Sequence, residues 1–237
     1  MENNYKIKFK LSLVLIEELN NMENEKISNL LKFYLLANEL KDKLRSGWIQ
    51  WNIDRERVES VAEHIYGTCI LAIAIDSEFD LNIDLYKVVM MLVLHEIEEV
   101  KIGDITPLDK VTKEEKRKMG KQAVQEILIS LSKKADYIEL IEEFEEMKTR
   151  ESIFAKMCDK LEADIQCKLY CEENYIDINK KENQHLLEGN ERIEKLLANG
   201  EKTLADFFIE NDRPIYREKI FEDIADFVKK NDIKQLL

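Results

Sequence analysis

Histidine is scarce in this chain, three in 237 residues, and two of the three stand beside carboxylates in apolar surroundings. His95 follows Leu92-Val93-Leu94 and precedes Glu96, Glu98 and Glu99, with Gly103 and Asp104 shortly after. His64 closes the stretch Glu59-Ser60-Val61-Ala62-Glu63-His64. A further acid, Asp159, lies in Met157-Cys158-Asp159-Lys160-Leu161-Glu162, in an apolar stripe with Phe154, Leu161 and Ile165. Burying such groups is costly unless something neutralises them. Two imidazoles and the carboxylates of Glu96 and Asp159, delivered from three helices, could enclose one divalent cation and leave places for water and a substrate oxygen. Mixed nitrogen and oxygen donors suit Mn, Fe, Co, Ni or Zn, with Mg less favoured. Such an ion would acidify a water and polarise a phosphoryl oxygen.

Plainer readings of the same residues exist. A lone histidine on an apolar face is commonly a satisfied core residue, and Asp159 alone could cap a helix or pair with a lysine. On a helix, His95 and Glu99 share a face, while Glu96 is rotated from His95 by about 100°. His185, in the polar stretch Glu182-Asn183-Gln184-His185, reads as a surface residue. Cys69, Cys158, Cys167 and Cys171 have no paired C-x-x-C spacing. Cys158, Cys167 and Cys171 fall on one predicted helix, as small core hydrophobes or as ligands for a soft metal. Their usage fits a reducing cytoplasm.

The elements that must position these residues are helical. Six glycines and two prolines are too few for a chain of hairpins. Residues 26–45 place Ile27, Leu30, Leu31, Tyr34, Leu35 and Leu40 on one stripe, and Ser46-Gly47-Trp48 breaks it. Ser60 with Glu63 is a capping-box start for a helix over 61–77. The next helix runs over 84–101, stops near Gly103, and leaves 104–107 as a loop. Helices follow over 113–132, 137–149 and 152–173. After a polar loop at 174–184 come helices over 185–198 and 202–210, then a last one from Pro214 to about Lys230. The acids of Glu142-Glu143-Phe144-Glu145-Glu146 read as a solvated face.

The order of the motifs resembles the HD-domain metal-dependent phosphohydrolase superfamily, and within it the 5′-deoxynucleotidase-like branch. The residues that carry the resemblance are Glu59 to His64, then His95, Glu96 and Glu99 followed by Gly103-Asp104-Ile105, then Asp159-Lys160-Leu161-Glu162. The stretch Arg45 to Asn52, with Gly47-Trp48, is similar too. The resemblance covers residues 26–172. It implies an all-α fold, an HD-domain helical bundle over 1–200 including the N-terminal helices, with a C-terminal helical extension over 201–237. It implies His64, His95, Glu96 and Asp159 as ligands of one divalent metal ion and Glu99 as general acid or base. Asp104 would contact the sugar hydroxyl, and Arg45 and Trp48 the phosphate or nucleotide. For these last three a turn acid, a helix-terminal charge and core filler are the plainer roles.

One position departs from the pattern: the family aspartate after the second histidine is Glu96 here. The extra methylene carries its carboxylate further out. Glu96 then ligates with a shifted geometry, or Glu98 or Glu99 compensates, or the site is weakened. The reaction implied is removal of phosphate from a small phosphate monoester, most plausibly a deoxynucleoside 5′-monophosphate. The alternative is a catalytically degenerate HD protein that binds nucleotide or metal as a sensor or interaction module. Hydrolysis of a nucleoside triphosphate or cyclic nucleotide is the weaker third option.

Composition bounds the partners. A net charge of −13 argues against nucleic-acid polymers and anionic membranes, which need basic faces, but leaves room for a small phosphorylated ligand on a local Arg or Lys. The apolar stretch Leu11–Ile16 is too short, and too soon followed by Glu17-Glu18, for a signal peptide or a span. The expectation is a cytoplasmic homodimer, the dimer coming from the resemblance alone.

Overall fold

Reciprocal caps start two of the helices that carry the site, those that open at Ser60 and Thr149. The Ser60 side chain accepts from the Glu63 N–H while Glu63 reaches back to the Ser60 N–H, and the same pattern recurs at Thr112, Thr149 and Thr203. The computed structural model describes residues 2–106, 108–187, 191–200 and 202–236. Its helices are α1 (Glu2–Asn38), α2 (Ser46–Gln50), α3 (Val61–Phe79), α4 (Leu85–Leu94), α5 (Glu99–Ile102) and α6 (Lys113–Leu128). They continue with α7 (Lys134–Glu146), α8 (Arg150–Glu172), α9 (Gln184–Leu187), α10 (Glu191–Ala198), α11 (Leu204–Asp212) and α12 (Lys219–Lys230). Among the described residues there is no strand, only an isolated bridge between Leu44 and Ser60. The all-α expectation holds. None of the helices is long and apolar enough to cross a membrane.

The long helix α8 is the axis of the bundle, with α3, α4, α7, α11 and α12 packed against it. Its buried residues Phe154, Met157, Cys158 and Leu161 share a core with Ala72, Val88, Met91 and Phe144. Ile209, Tyr216, Phe221, Ala225 and Val228, from α11 onward, close the same core. Further along α8, Cys167 and Tyr170 join Trp48, Trp51, Leu204 and Phe207 in a second cluster. A third cluster, with Leu94, Ile97, Val100, Val124 and Ile127, packs the turn after α4 onto α6. Each of these large side chains contributes about 1.5–3 kcal/mol on burial. Together they clamp α3, α4 and α8 where they cross. All four cysteines are free, and Cys158 and Cys167 are buried.

Several boundaries depart from the sequence reading. The first helix extends back to Glu2 and stops at Asn38, where a short 3-10 turn, Glu39–Lys41, follows. Of the stripe placed on it, only Leu40 is buried, while Ile27, Leu30, Leu31, Tyr34 and Leu35 are exposed. Periodicity identified the helix but not whether this chain covers its apolar face. The helix expected over 84–101 breaks at His95. Ile97, Glu99 and Val100 donate to carbonyls three residues back, at 3.1, 3.1 and 3.3 Å. The reason is local: the carbonyl of Leu92, the helical partner of the Glu96 N–H, accepts from His95 Nδ1 at 2.6 Å. Pro214 does not open the last helix; it sits in a separate 3-10 turn, Arg213–Ile215, before α12. The helix expected over 185–198 is represented by α9 and α10, with 188–190 outside the described residues, as is Pro107 of the 104–107 loop.

Candidate metal centre

α3 contributes His64 from its first turn, the broken end of α4 contributes His95 and Glu96, and α8 contributes Asp159. One ligand atom from each lies within 4.8 Å of the others. Asp159 Oδ1 stands 3.2 Å from His64 Nε2 and 3.7 Å from His95 Nε2, and Glu96 Oε1 lies 3.6 Å from His95 Nε2. Both imidazoles are held from behind. His64 Nδ1 donates to Glu162 Oε2 at 2.5 Å and His95 Nδ1 to the Leu92 carbonyl, so each Nε2 is turned to the common centre. Outer partners of this kind fix ring orientation and tautomer in metal sites. His95 Nε2 has no hydrogen-bond partner although it is buried, an orphan that a cation would satisfy. Imidazole nitrogen and carboxylate oxygen in this number fit a divalent ion.

The electrostatics of the cluster are those of a site built for positive charge. Burial and Arg45 oppose protonation of His64, yet Glu162 and Asp159 outweigh them and raise it to about 9. Burial works to raise Asp159, but Lys160, Lys156 and both histidines hold it well below the usual carboxylate range. Glu96 and Glu99 are shifted in opposite directions. Burial and the charge of Glu96 push Glu99 far up, while His95 keeps Glu96 ionised against its own burial. Glu98 is pushed up to about 8 by burial and by Glu96.

The remaining residues singled out from sequence are placed around this cluster rather than in it. The break at His95 means that His95 and Glu99 are not on one helical face; in a 3-10 turn it is residues three apart that eclipse. His95 and Glu98 accordingly line one cavity, while Glu99 is buried against Glu96. The charge of Arg45 interacts with Glu96, Asp104, Glu59 and Asp159, which together overcome its burial. Asp104 accepts from the Ser46 N–H at 2.6 Å, closing the loop after α5 onto the start of α2. Trp48 is buried, and its indole N–H donates to Glu59 Oε2 at 2.8 Å. His185 is exposed, as expected.

Three contributors carried no role in the sequence reading. Glu162 orients His64, Phe144 puts its ring 5.1 Å from the ring of His95, and Lys156 meets Asp159 Oδ2 at 3.0 Å. Lys156 and Glu162 each lie one helical turn from Asp159, the spacing that could have revealed them. A cavity of about 680 Å³ opens beside the cluster, with His95 and Glu96 in its wall together with Lys156 and Lys160. Lys113, Lys116 and Arg117 from α6 also line it. Its volume falls in the range of about 300–1,000 Å³ common to small-molecule sites.

Comparison with known proteins gives this geometry a lineage. The HD domain family model matches residues 37–199, which include every residue of the cluster. The chain belongs to the HD domain family. Among curated relatives of this HD-domain chain, the 5′-deoxynucleotidase HDDC2 of Dictyostelium discoideum is 34% identical over 151 residues, 61% of this chain and 78% of that protein. The human 5′-deoxynucleotidase HDDC2 is 33% identical over 144 residues, 60% of this chain and 68% of its own length. The 5′-deoxynucleotidase hdd1 of Schizosaccharomyces pombe is 35% identical over 147 residues, covering 60% and 72%. In fold, the chain is similar to the PH0347 protein of Pyrococcus horikoshii, with a TM-score of 0.60 at 23% identity over 84% of this chain and 97% of that one.

Proposed function

We propose that this HD-domain chain is a metal-dependent phosphohydrolase that removes phosphate from deoxynucleoside 5′-monophosphates. The observation that carries the reading is the convergence of His64 Nε2, His95 Nε2, Asp159 Oδ1 and a Glu96 oxygen within 4.8 Å, beside a cavity rich in lysine. The names of the relatives supply the substrate class. His64, His95, Glu96 and Asp159 would hold one divalent ion. It would supply charge that polarises a phosphoryl oxygen and makes a water more acidic.

The chain's own groups do the rest. Glu99, buried against Glu96, serves as general acid or base, managing the proton of the water or of the leaving sugar oxygen. Asp104 contacts the sugar hydroxyl, and Arg45 balances the surrounding carboxylates. Trp48, buried, acts by holding Glu59 rather than by touching the base. The 3.6 Å approach of Glu96 Oε1 to His95 Nε2 supports ligation through the longer side chain.

The test is phosphate release by metal-stripped protein, resupplied separately with Mn, Co, Fe, Ni, Zn and Mg, against deoxynucleoside and ribonucleoside monophosphates. Metal-dependent turnover favouring the deoxy series is expected. Metal binding without turnover of any monophosphate would leave the sensor reading in its place.

The exposed apolar residues of α1, together with Tyr66, Ile70 and Ile73 on α3, support a homodimer, and the free thiols fit a cytoplasmic setting. Light scattering is expected to give twice the 28.0 kDa chain mass, reduced to the single mass by Leu30→Glu with Leu35→Glu. A single-chain mass for the wild type would refute the pairing.

A further inference from the structure

Lys156 differs from the other cations of the cavity in how it is held. It lies on α8 one turn before Asp159, with Nζ 3.0 Å from Asp159 Oδ2 and 4.4 Å from the centre of the Phe144 ring. Lys160 approaches the same oxygen at 3.4 Å. Asp159 is thus divided: Oδ1 faces the two imidazoles and Oδ2 faces the lysines. An ammonium carries three donors and no acceptor. Asp159 can occupy one of them, and the Phe144 ring offers only its face to the charge. Among the described residues no other carboxylate lies within ion-pair distance of Nζ. The side chain is only 21% exposed. A half-buried ammonium with donors to spare is best satisfied when an anion completes its shell. Its place in the cavity wall beside His95 and Glu96 makes that anion a ligand of the cavity. Lys113 and Arg117, by contrast, are exposed, and such charges steer anions more than they hold them.

We propose that Lys156 is a phosphate-binding residue, whose spare donors grip a non-bridging oxygen of the substrate's phosphoryl group and, after hydrolysis, of inorganic phosphate. This rests on the reading of the chain as a phosphohydrolase and names the group that recognises the phosphoryl end. The competing account is that Lys156 only balances the charge of Asp159, in which case its loss acts through the metal.

The experiment uses the metal-loaded full chain as wild type, Lys156→Met, Lys156→Gln and Lys156→Arg. Binding of inorganic phosphate, binding of the unphosphorylated deoxynucleoside, bound metal per chain and monophosphate kinetics are measured for each. The expected result is at least a tenfold loss of phosphate affinity per metal-loaded site in Lys156→Met and Lys156→Gln, with a parallel rise in KM. Deoxynucleoside affinity is unchanged, and Lys156→Arg recovers part of the loss. Lys156→Gln keeps length and polarity should Lys156→Met not fold. Unchanged phosphate affinity per loaded site, or a loss fully explained by missing metal, overturns the proposal. Lys156-dependent phosphate binding by a protein that hydrolyses no monophosphate would sink the phosphohydrolase reading and leave Lys156 standing. Turnover with phosphate affinity indifferent to Lys156 would do the reverse.

Discussion

Asp159 ties the site together at the scale of single residues, because its two oxygens serve the imidazoles and the lysines separately. If His64 and His95 are ligands, His64→Gln and His95→Gln should each lose bound metal while helicity is mostly retained. Elemental analysis beside circular dichroism checks this, and full metal content in either variant would make that histidine a packing residue. Glu162→Gln should weaken metal affinity by about 10–100-fold, because the His64 ring loses its carboxylate anchor. Glu99→Gln should lower kcat by about 10²–10⁴-fold with metal content intact. An equal loss in Glu98→Gln but none in Glu99→Gln would move the acid to the residue that shares the cavity with His95. That His64, His95, Glu96 and Asp159 come together was legible in the sequence because each sits in a short contiguous motif. Glu162 and Lys156 stood in the same motif region, yet their roles depend on which neighbour each side chain meets across helices. Trp48 was legible as an unusual residue but not as a buried donor to Glu59.

At the scale of elements, the approach of α3 to α8 depends on a missing side chain. A Cβ on Gly67 would stand 2.4 Å from Glu162 Oε1 and 2.9 Å from its Cδ, and Glu162 cannot swing aside without releasing His64 Nδ1. Alanine is worth about 1 kcal/mol over glycine inside a helix. Gly67→Ala is therefore expected to leave the melting temperature level or higher while lowering metal affinity. A drop in both together would indicate general disruption instead. From residue 26 onward helix existence was readable from apolar period and caps, except for the short helix α2, whose Ser46-Gly47-Trp48 reads as a break. The break at His95 was not, because it arises from a side chain competing for a backbone carbonyl, which periodicity does not encode. The exposed stripe of α1 was unreadable for a related reason: the pattern tells which face is apolar, and only the fold tells what covers it.

The whole molecule carries its buried charges as a pH-dependent load. Glu98 titrates near 8 in the folded chain against 4.5 for the free group. Its contribution to stability is complete below about pH 4.5 and is lost as the pH rises through about 8. His64, raised from 6.5 to about 9, contributes below about 6.5 and loses that contribution as the pH rises through 9, the same direction. Glu96, held at about 2, contributes fully above about pH 4.5 and loses that contribution only as the pH falls towards 2. The metal-free protein should therefore melt at progressively lower temperature between pH 5 and 8. Each such group contributes up to about 1.4 kcal/mol per pH unit, or about 3–6 °C in a chain of this size. Glu98→Gln should flatten that slope, and a melting temperature that rises over the same range would contradict the assignment.

One ion, held where α3, α4 and α8 meet, is what would make the chain a phosphohydrolase. The most direct test is to titrate metal-stripped protein with Mn, following bound metal per chain and phosphate release from a deoxynucleoside monophosphate together, with Asp159→Ala in parallel. Turnover that rises with the first ion bound per chain and is absent from Asp159→Ala is the predicted result. Turnover that survives stripping, or persists in a folded Asp159→Ala variant, would contradict it.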